Sequence, residues 1–149
     1  MEPTREHIDA FAVAGLTVRT TNREEIDPNT QRIGALWGRF FSESLPDKTP
    51  GRTSDARIHG VYSNYELDAH GPFDLTCGVA VEPRADAVPI EAGDYLVFRG
   101  AGPMPQTVIA AWQRIWQYFG EHPQVVRRFV SDFETYEGSD AVAIHIGVK

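Results

Sequence analysis

Apolar positions recur with helical spacing in two stretches of the chain. Ile33, Leu36, Trp37, Phe40 and Phe41 follow the i, i+3, i+4, i+7, i+8 order, and Leu45 extends the stripe. Val108, Ala111, Trp112, Ile115, Trp116 and Phe119 repeat the pattern further on. Asp27-Pro28 reads as the cap and first turn of the first helix. Pro105-Gln106-Thr107 leads into the second, with Gly120 as its C′ residue. Each predicted helix carries one apolar face and needs a surface to bury it on. Runs rich in β-branched and aromatic residues predict strands near 11–20, 57–65, 74–82, 94–99, 128–136 and 141–148. Pro46 to Asp55, crowded with breakers and small polar residues, reads as an exposed loop, and Ala69-His70-Gly71-Pro72 as a turn.

The order is strand, helix, strand, strand, and then the same again. Trp37 and Trp112 lie 75 residues apart, as do Ile33 and Val108, and Phe41 and Trp116. Tyr65 and Tyr136 lie 71 apart, as do Tyr62 and Phe133, and the pairs Val79–Ile146 and Val81–Val148 lie 67 apart. Offsets that shrink stepwise are what shorter connections in a second copy produce. The predicted architecture is α+β: duplicated strand-helix-strand-strand modules with six or more antiparallel-rich strands and two main helices around a central ligand groove. Residues 1–149 form a single domain with a pseudo-repeat at about 1–84 and 85–149. Concave seams between repeated units are common ligand sites.

Composition narrows the chemistry. Hydrophobic residues make up 42% and charged residues 23% of the 149, an ordinary globular balance. A formal net charge of −7 argues against non-specific nucleic-acid binding and favours cationic or neutral partners. With one cysteine, Cys77, no intrachain disulfide can form, and its apolar strand setting reads as a buried, unreactive thiol. Neither a secretion signal nor a ~20-residue apolar span is evident, so a cytoplasmic protein without membrane contact is expected.

Glu134 is the candidate that stands out. In the strand pattern of Arg128 to Tyr136, Phe129 and Phe133 share one face and Asp132, Glu134 and Tyr136 the other. If the phenylalanine face packs on the helices, Glu134 projects from the opposite side, either as an ordinary exposed acid or into a shared hollow. There a carboxylate beside a tyrosine holds a cation or acts as a general base. The repeat places Ser63 and Tyr65 on the same surface. Trp37, flanked by Gly34 and Gly38, reads as core packing or a ligand wall. Tyr95 and Phe98 lie on opposite faces of their strand, so at most one of them lines a given surface. His145 reads as a half-exposed strand histidine. The five histidines lack metal-site spacing, and no P-loop, nucleophile elbow or dinucleotide fingerprint is present. No cofactor is expected.

Several segments together resemble the GyrI-like family, the effector-binding domains also fused to bacterial transcription regulators. They are Ile33 to Phe40, Ile58 to Glu66, Ile90 to Phe98, the helix around Trp112 and Trp116, and Asp132 to Tyr136. The resemblance implies two modules around a drug-binding groove, with a central glutamate among aromatic residues at Glu134. It implies lipophilic, often cationic, ligands. Some stand-alone relatives are described as hydrolases opening cyclopropane rings of DNA-alkylating compounds, others as inhibitors or protectors of DNA gyrase. The present sequence carries no helix-turn-helix, which argues against direct DNA contact. The expected function is therefore small-molecule binding through Glu134, Tyr136, Tyr65, Ser63, Trp37, Tyr95 and Phe98. The alternatives are hydrolysis with Glu134 as the catalytic base, or a gyrase-type protein partner.

Overall fold

The computed structural model describes residues 2–53, 57–68 and 70–149. Ser54, Asp55 and Ala69, which belong to the loop and turn expected from sequence, lie outside the described residues. In chain order the elements are β1 (Thr4–Ile8), β2 (Phe11–Thr20), α1 (Asn22–Ile26), α2 (Ile33–Ser42), α3 (Leu45–Lys48), β3 (Ile58–Ser63), β4 (Phe73–Val81), β5 (Val88–Ile90), β6 (Gly93–Ala101), α4 (Gln106–Glu121), β7 (Ser131–Tyr136) and β8 (Ala141–Gly147). The described strands form a single sheet in the order β1-β6-β8-β7-β3-β4-β2-β5, with every pairing antiparallel. The α+β class and the repeated strand-helix-strand-strand modules are both present.

The sheet order has an internal two-fold character. β2, β4 and β3 succeed one another on one side as β6, β8 and β7 do on the other, and β3 pairs with β7 at the seam. Each edge strand crosses over: β1, which precedes β2, pairs with β6, while β5, which precedes β6, pairs with β2. These two edges escaped the sequence reading. β1 is Thr-Arg-Glu-His-Ile, mostly exposed, and β5 is three residues with a central proline, so neither carries an apolar alternation.

Helix α2 packs Leu36 and Phe40 against Leu75, Cys77, Val79 and Val81 of β4, and α4 packs Ala111 and Ile115 against Phe98 of β6 and Val142, Ile144 and Ile146 of β8. Cys77 is fully buried, and burial pushes its thiol pKa up. Each helix covers only its own half of the sheet. The central strands β3 and β7 are therefore left open between them, and this is where the groove forms.

The helix ends differ from expectation for local reasons. α2 is not started by Asp27-Pro28; Asp27 instead closes the short helix α1. The Glu25 carboxylate of α1 accepts the backbone N–H groups of Arg32 and Ile33, supplying the cap that the α2 sequence lacks. Leu45 does not extend α2, because Ser44 turns left-handed at φ 55 and Leu45 opens the one-turn helix α3 inside the expected loop. α4 runs through Gly120 to Glu121. β7 begins at Ser131 because Phe129 sits at φ 55, which takes it out of the strand and breaks its alternation with Phe133.

The expected facing of β7 is reversed. Phe133 lies on the side away from the helices, in a small core with Val13, Val61, Ile90 and Tyr95, where its ring meets Phe11 edge-on and stacks on His145. Glu134 lies on the helix side. Truncating Phe133 removes the centre of this third core, so Phe133→Ala is expected to cost about 3–5 kcal/mol. A shift of the urea midpoint at unchanged m-value is the measurement that checks it.

Candidate functional site

The two-fold character converges on one residue pair. β3 and β7 pair with Gly60 opposite Glu134, Tyr62 opposite Asp132 and Ile58 opposite Tyr136. Strand alternation sends Ile58, Gly60 and Tyr62 to the same face as Asp132, Glu134 and Tyr136. That face is the floor between α2 and α4. The Glu134 side chain leans across the seam. A Cβ on Gly60 would sit 2.9 Å from Glu134 Oε1 and 3.1 Å from the Trp37 ring. The missing side chain at Gly60 is thus the space the carboxyl occupies.

Three donors hold that carboxyl. Tyr62 donates its hydroxyl to Oε2 at 2.8 Å, the Trp112 indole N–H donates to the same oxygen at 2.7 Å, and the Tyr136 hydroxyl donates to Oε1 at 2.8 Å. Glu134 is only 3% exposed. Burial raises its pKa above the ordinary carboxylate value, the hydrogen bonds from Trp112, Tyr62 and Tyr136 pull the other way, and burial wins. Burial and the nearby Glu134 charge push the Tyr62 and Tyr136 hydroxyls upward, so both phenols stay protonated and act as donors.

A second carboxylate on the same strand shows the contrast. Asp132 is fully buried, but it forms an ion pair with Arg127 at 2.8 Å, accepts the Tyr65 hydroxyl at 2.6 Å and accepts the Gly147 backbone N–H at 2.8 Å. Its charge is matched within the protein. Among the described residues, no cation lies within ion-pair distance of Glu134.

Above this floor opens a cavity of about 1110 Å³. Its walls are Trp37 and Phe41 from α2, Val108, Trp112 and Trp116 from α4, and Tyr62, Tyr65 and Tyr136 from the sheet side. Trp37 meets Tyr136 edge-on at 5.5 Å between centroids, and Trp112 meets Tyr62 in the same way at 5.0 Å.

Matching by family model covers residues 6–148, described as Cass2, integron-associated effector binding protein. The chain belongs to this Cass2 family. An integron cassette protein, VCH_CASS2, from the mobile metagenome of Vibrio cholerae is 33% identical with a TM-score of 0.84, over 99% of this chain and 96% of that one. Two more distant structures share the fold. SAV2435, solved bound to tetraphenylphosphonium, is 20% identical with a TM-score of 0.81, over 100% of this chain and 94% of that one. A candidate bacterial transcription regulation protein from Staphylococcus aureus MU50 is 21% identical with a TM-score of 0.80, over 100% of this chain and 99% of that one. No curated protein matches the chain. Among the described residues of this Cass2 chain, no helix is long and apolar enough to cross a membrane.

The structure brings Glu134, Tyr136, Tyr65 and Trp37 to the cavity and leaves three of the expected residues away from it. Ser63 pairs with Ser131 and alternates with Tyr62 onto the other face. Tyr65 reaches the cavity only because Asn64 at φ 52 breaks the alternation between them. Tyr95 is buried on the far side of the sheet, its hydroxyl beside Ser131. Phe98 does face the helices, but it is sealed beneath α4 by Tyr118 and Phe119. His145 is buried rather than half-exposed, and burial lowers its pKa to about 4, so it is neutral near pH 7.

Tyr62, Trp112 and Gly60 are not among the site residues expected from sequence. The two-fold about the Gly60–Glu134 pair makes Tyr62 and Tyr136 counterparts, 74 residues apart, where the sequence reading matches Tyr65 to Tyr136 at 71. Gly60-x-Tyr62 set against Glu134-x-Tyr136, beside the tryptophan offset of 75, is the signal that finds them. Gly34 lines the cavity, and outside its own helix no heavy atom lies within 4 Å of where its Cβ would be, so close packing does not require a glycine there. Gly60→Ala is expected to destabilise by about 1–3 kcal/mol through overpacking against Glu134 and Trp37. Gly34→Ala is expected to stabilise by up to ~1 kcal/mol through helix propensity. Urea unfolding of the two variants, giving opposite signs, is the check.

Proposed function

We propose that this chain binds lipophilic cationic small molecules in the cleft between α2 and α4, with Glu134 as the counter-charge. The observation that carries this reading is a buried carboxylate with three donors and no cation of its own among the described residues, at the floor of an aromatic cavity. Ionising such a group without a partner is costly, and a bound cation removes that cost. The tryptophan and tyrosine rings add cation–π and stacking contacts of about 0.5–2 kcal/mol each. The cavity also exceeds the usual range of about 300–1,000 Å³ for ligand pockets, which suits bulky, multi-ring compounds. SAV2435, which shares the fold, holds a phosphonium cation of that kind.

Hydrolysis with Glu134 as general base finds less support. Three donors already engage both carboxyl oxygens, which leaves little room to position a water molecule against them. Several of the contacts described, together with burial of the ligand's apolar surface, reach micromolar affinity, about −8 kcal/mol. We place the protein in the cytoplasm as an effector-binding module, with the ligand as its partner and no nucleic-acid role.

The test is titration of tryptophan fluorescence with tetraphenylphosphonium and with neutral triphenylphosphine oxide. Glu134→Gln is expected to weaken the phosphonium at least about tenfold, equivalent to about 1.4 kcal/mol, and the neutral compound far less. Equal losses for the two ligands would remove the counter-charge role. The pH dependence has a definite sign. Because the folded pKa of Glu134 is raised, the ligand-free protein keeps the proton that the unfolded chain gives up at the ordinary carboxylate value. Stability associated with that proton is full at low pH and is lost as pH rises through the raised value. A permanent cation prefers the ionised form, so its affinity should rise over the same window with release of a proton. Glu134→Gln should flatten that profile, and isothermal titration calorimetry in buffers of different ionisation enthalpy reads both effects.

A further inference from the structure

The aromatic walls are not one surface but two matching ladders that meet at a single charge. On one side Phe41 stacks on Trp37 at 6.0 Å between centroids, and Trp37 meets Tyr136. On the other, Trp116 lies on Trp112, also at 6.0 Å, and Trp112 meets Tyr62. Each ladder draws its two outer rungs from one helix and its inner rung from the strand of the opposite half. Both inner rungs donate their hydroxyls to the Glu134 carboxyl at 2.8 Å. The outer rungs, Phe41 and Trp116, are 54% and 47% exposed, so both ladders run from the buried charge to the mouth of the cleft.

The charge breaks this symmetry in number but not in place. The two-fold partner of Glu134 is Gly60, so there is one carboxylate rather than two, and it lies over Gly60 on the seam itself. All three of its hydrogen bonds come from protein groups, which leaves little capacity for a ligand N–H donor. It presents itself mainly as a negative point charge midway between two aromatic half-sites.

We infer that the cleft selects monocations whose charged atom lies between two aryl arms, over isomers that carry both rings on one side of the charge. The inference rests on the cationic-ligand reading above. A ligand charged at its centre places one arm on each ladder while its cation meets Glu134. A ligand charged at its end either fills one ladder and leaves the other wet, or fills both and draws its charge away from the seam.

Two isomeric quaternary ammonium ions separate these cases at equal composition and charge: dibenzyldimethylammonium, with the nitrogen between its rings, and trimethyl(para-phenylbenzyl)ammonium, with both rings on one side. Calorimetric titration of the wild-type chain is expected to give about tenfold tighter binding of the dibenzyl ion, the worth of one further ring contact. Phe41→Ala and Trp116→Ala, which shorten one ladder each without touching the carboxyl's donors, are expected to weaken the dibenzyl ion by similar factors, and to affect the end-charged ion unequally. Equal affinity of the two isomers, or tighter binding of the end-charged one, would overturn the two-armed inference and leave the cation site standing. Failure of both isomers and of tetraphenylphosphonium to bind would overturn the cation site and the inference with it. The wild-type comparison decides the question even if one of these variants does not fold.

Discussion

Burial of the Glu134 carboxyl on the seam between β3 and β7 is the constraint around which the rest of the cleft is organised. Desolvation favours the protonated acid, while three hydrogen bonds favour the anion, and the raised pKa records which is larger. Almost every feature nearby follows from accommodating that group. Gly60 has no side chain because the carboxyl lies where one would be. Tyr62 and Tyr136 stay protonated because burial and the adjacent acid both oppose ionisation, so they remain donors at neutral pH. Trp112 directs its indole N–H inward instead of packing as an inert core residue.

The sheet makes this arrangement possible through division of labour. Each helix covers the outer strands of its own half, and each half has its own apolar core beneath its helix. Among the described residues, no helix packs directly over the central pair of strands on that side. On the reverse, the third core around Val61, Tyr95 and Phe133 holds the seam closed. The crossed edges, β1 onto β6 and β5 onto β2, tie each half to the other. A floor built on paired strands with a packed reverse side is rigid, and rigidity keeps a buried charge at a fixed place. The neighbouring carboxylate, Asp132, shows the alternative solution, in which the protein supplies Arg127 and the group becomes structural.

Much of this was legible beforehand. The two amphipathic helices were readable because i, i+3, i+4 spacing survives in any context where one helix face is buried. The six inner strands were readable from β-branched and aromatic runs, and the tandem order from their sequence. Glu134 was readable as an acid beside a tyrosine in a strand of aromatic and polar residues. The face it would take was not, since alternation fixes which residues share a side but not which side meets the helices. The single left-handed residues Asn64 and Phe129 each shifted the phase of a strand by one position, which moved Tyr65 into the cleft and removed Phe129 from β7.

The sequence by itself determined the element types, the repeated order and the presence of one acid among aromatic residues, because these depend on local periodicity and composition. Only the tertiary structure decided that Gly60 stands opposite Glu134, that Tyr62 and Trp112 complete the carboxyl's partners, and that Ser63, Tyr95 and Phe98 lie elsewhere. The physical reason is that strand register and helix coverage are set by long-range pairing. A one-residue change in register moves every side chain of a strand to the other face, and local pattern does not report it.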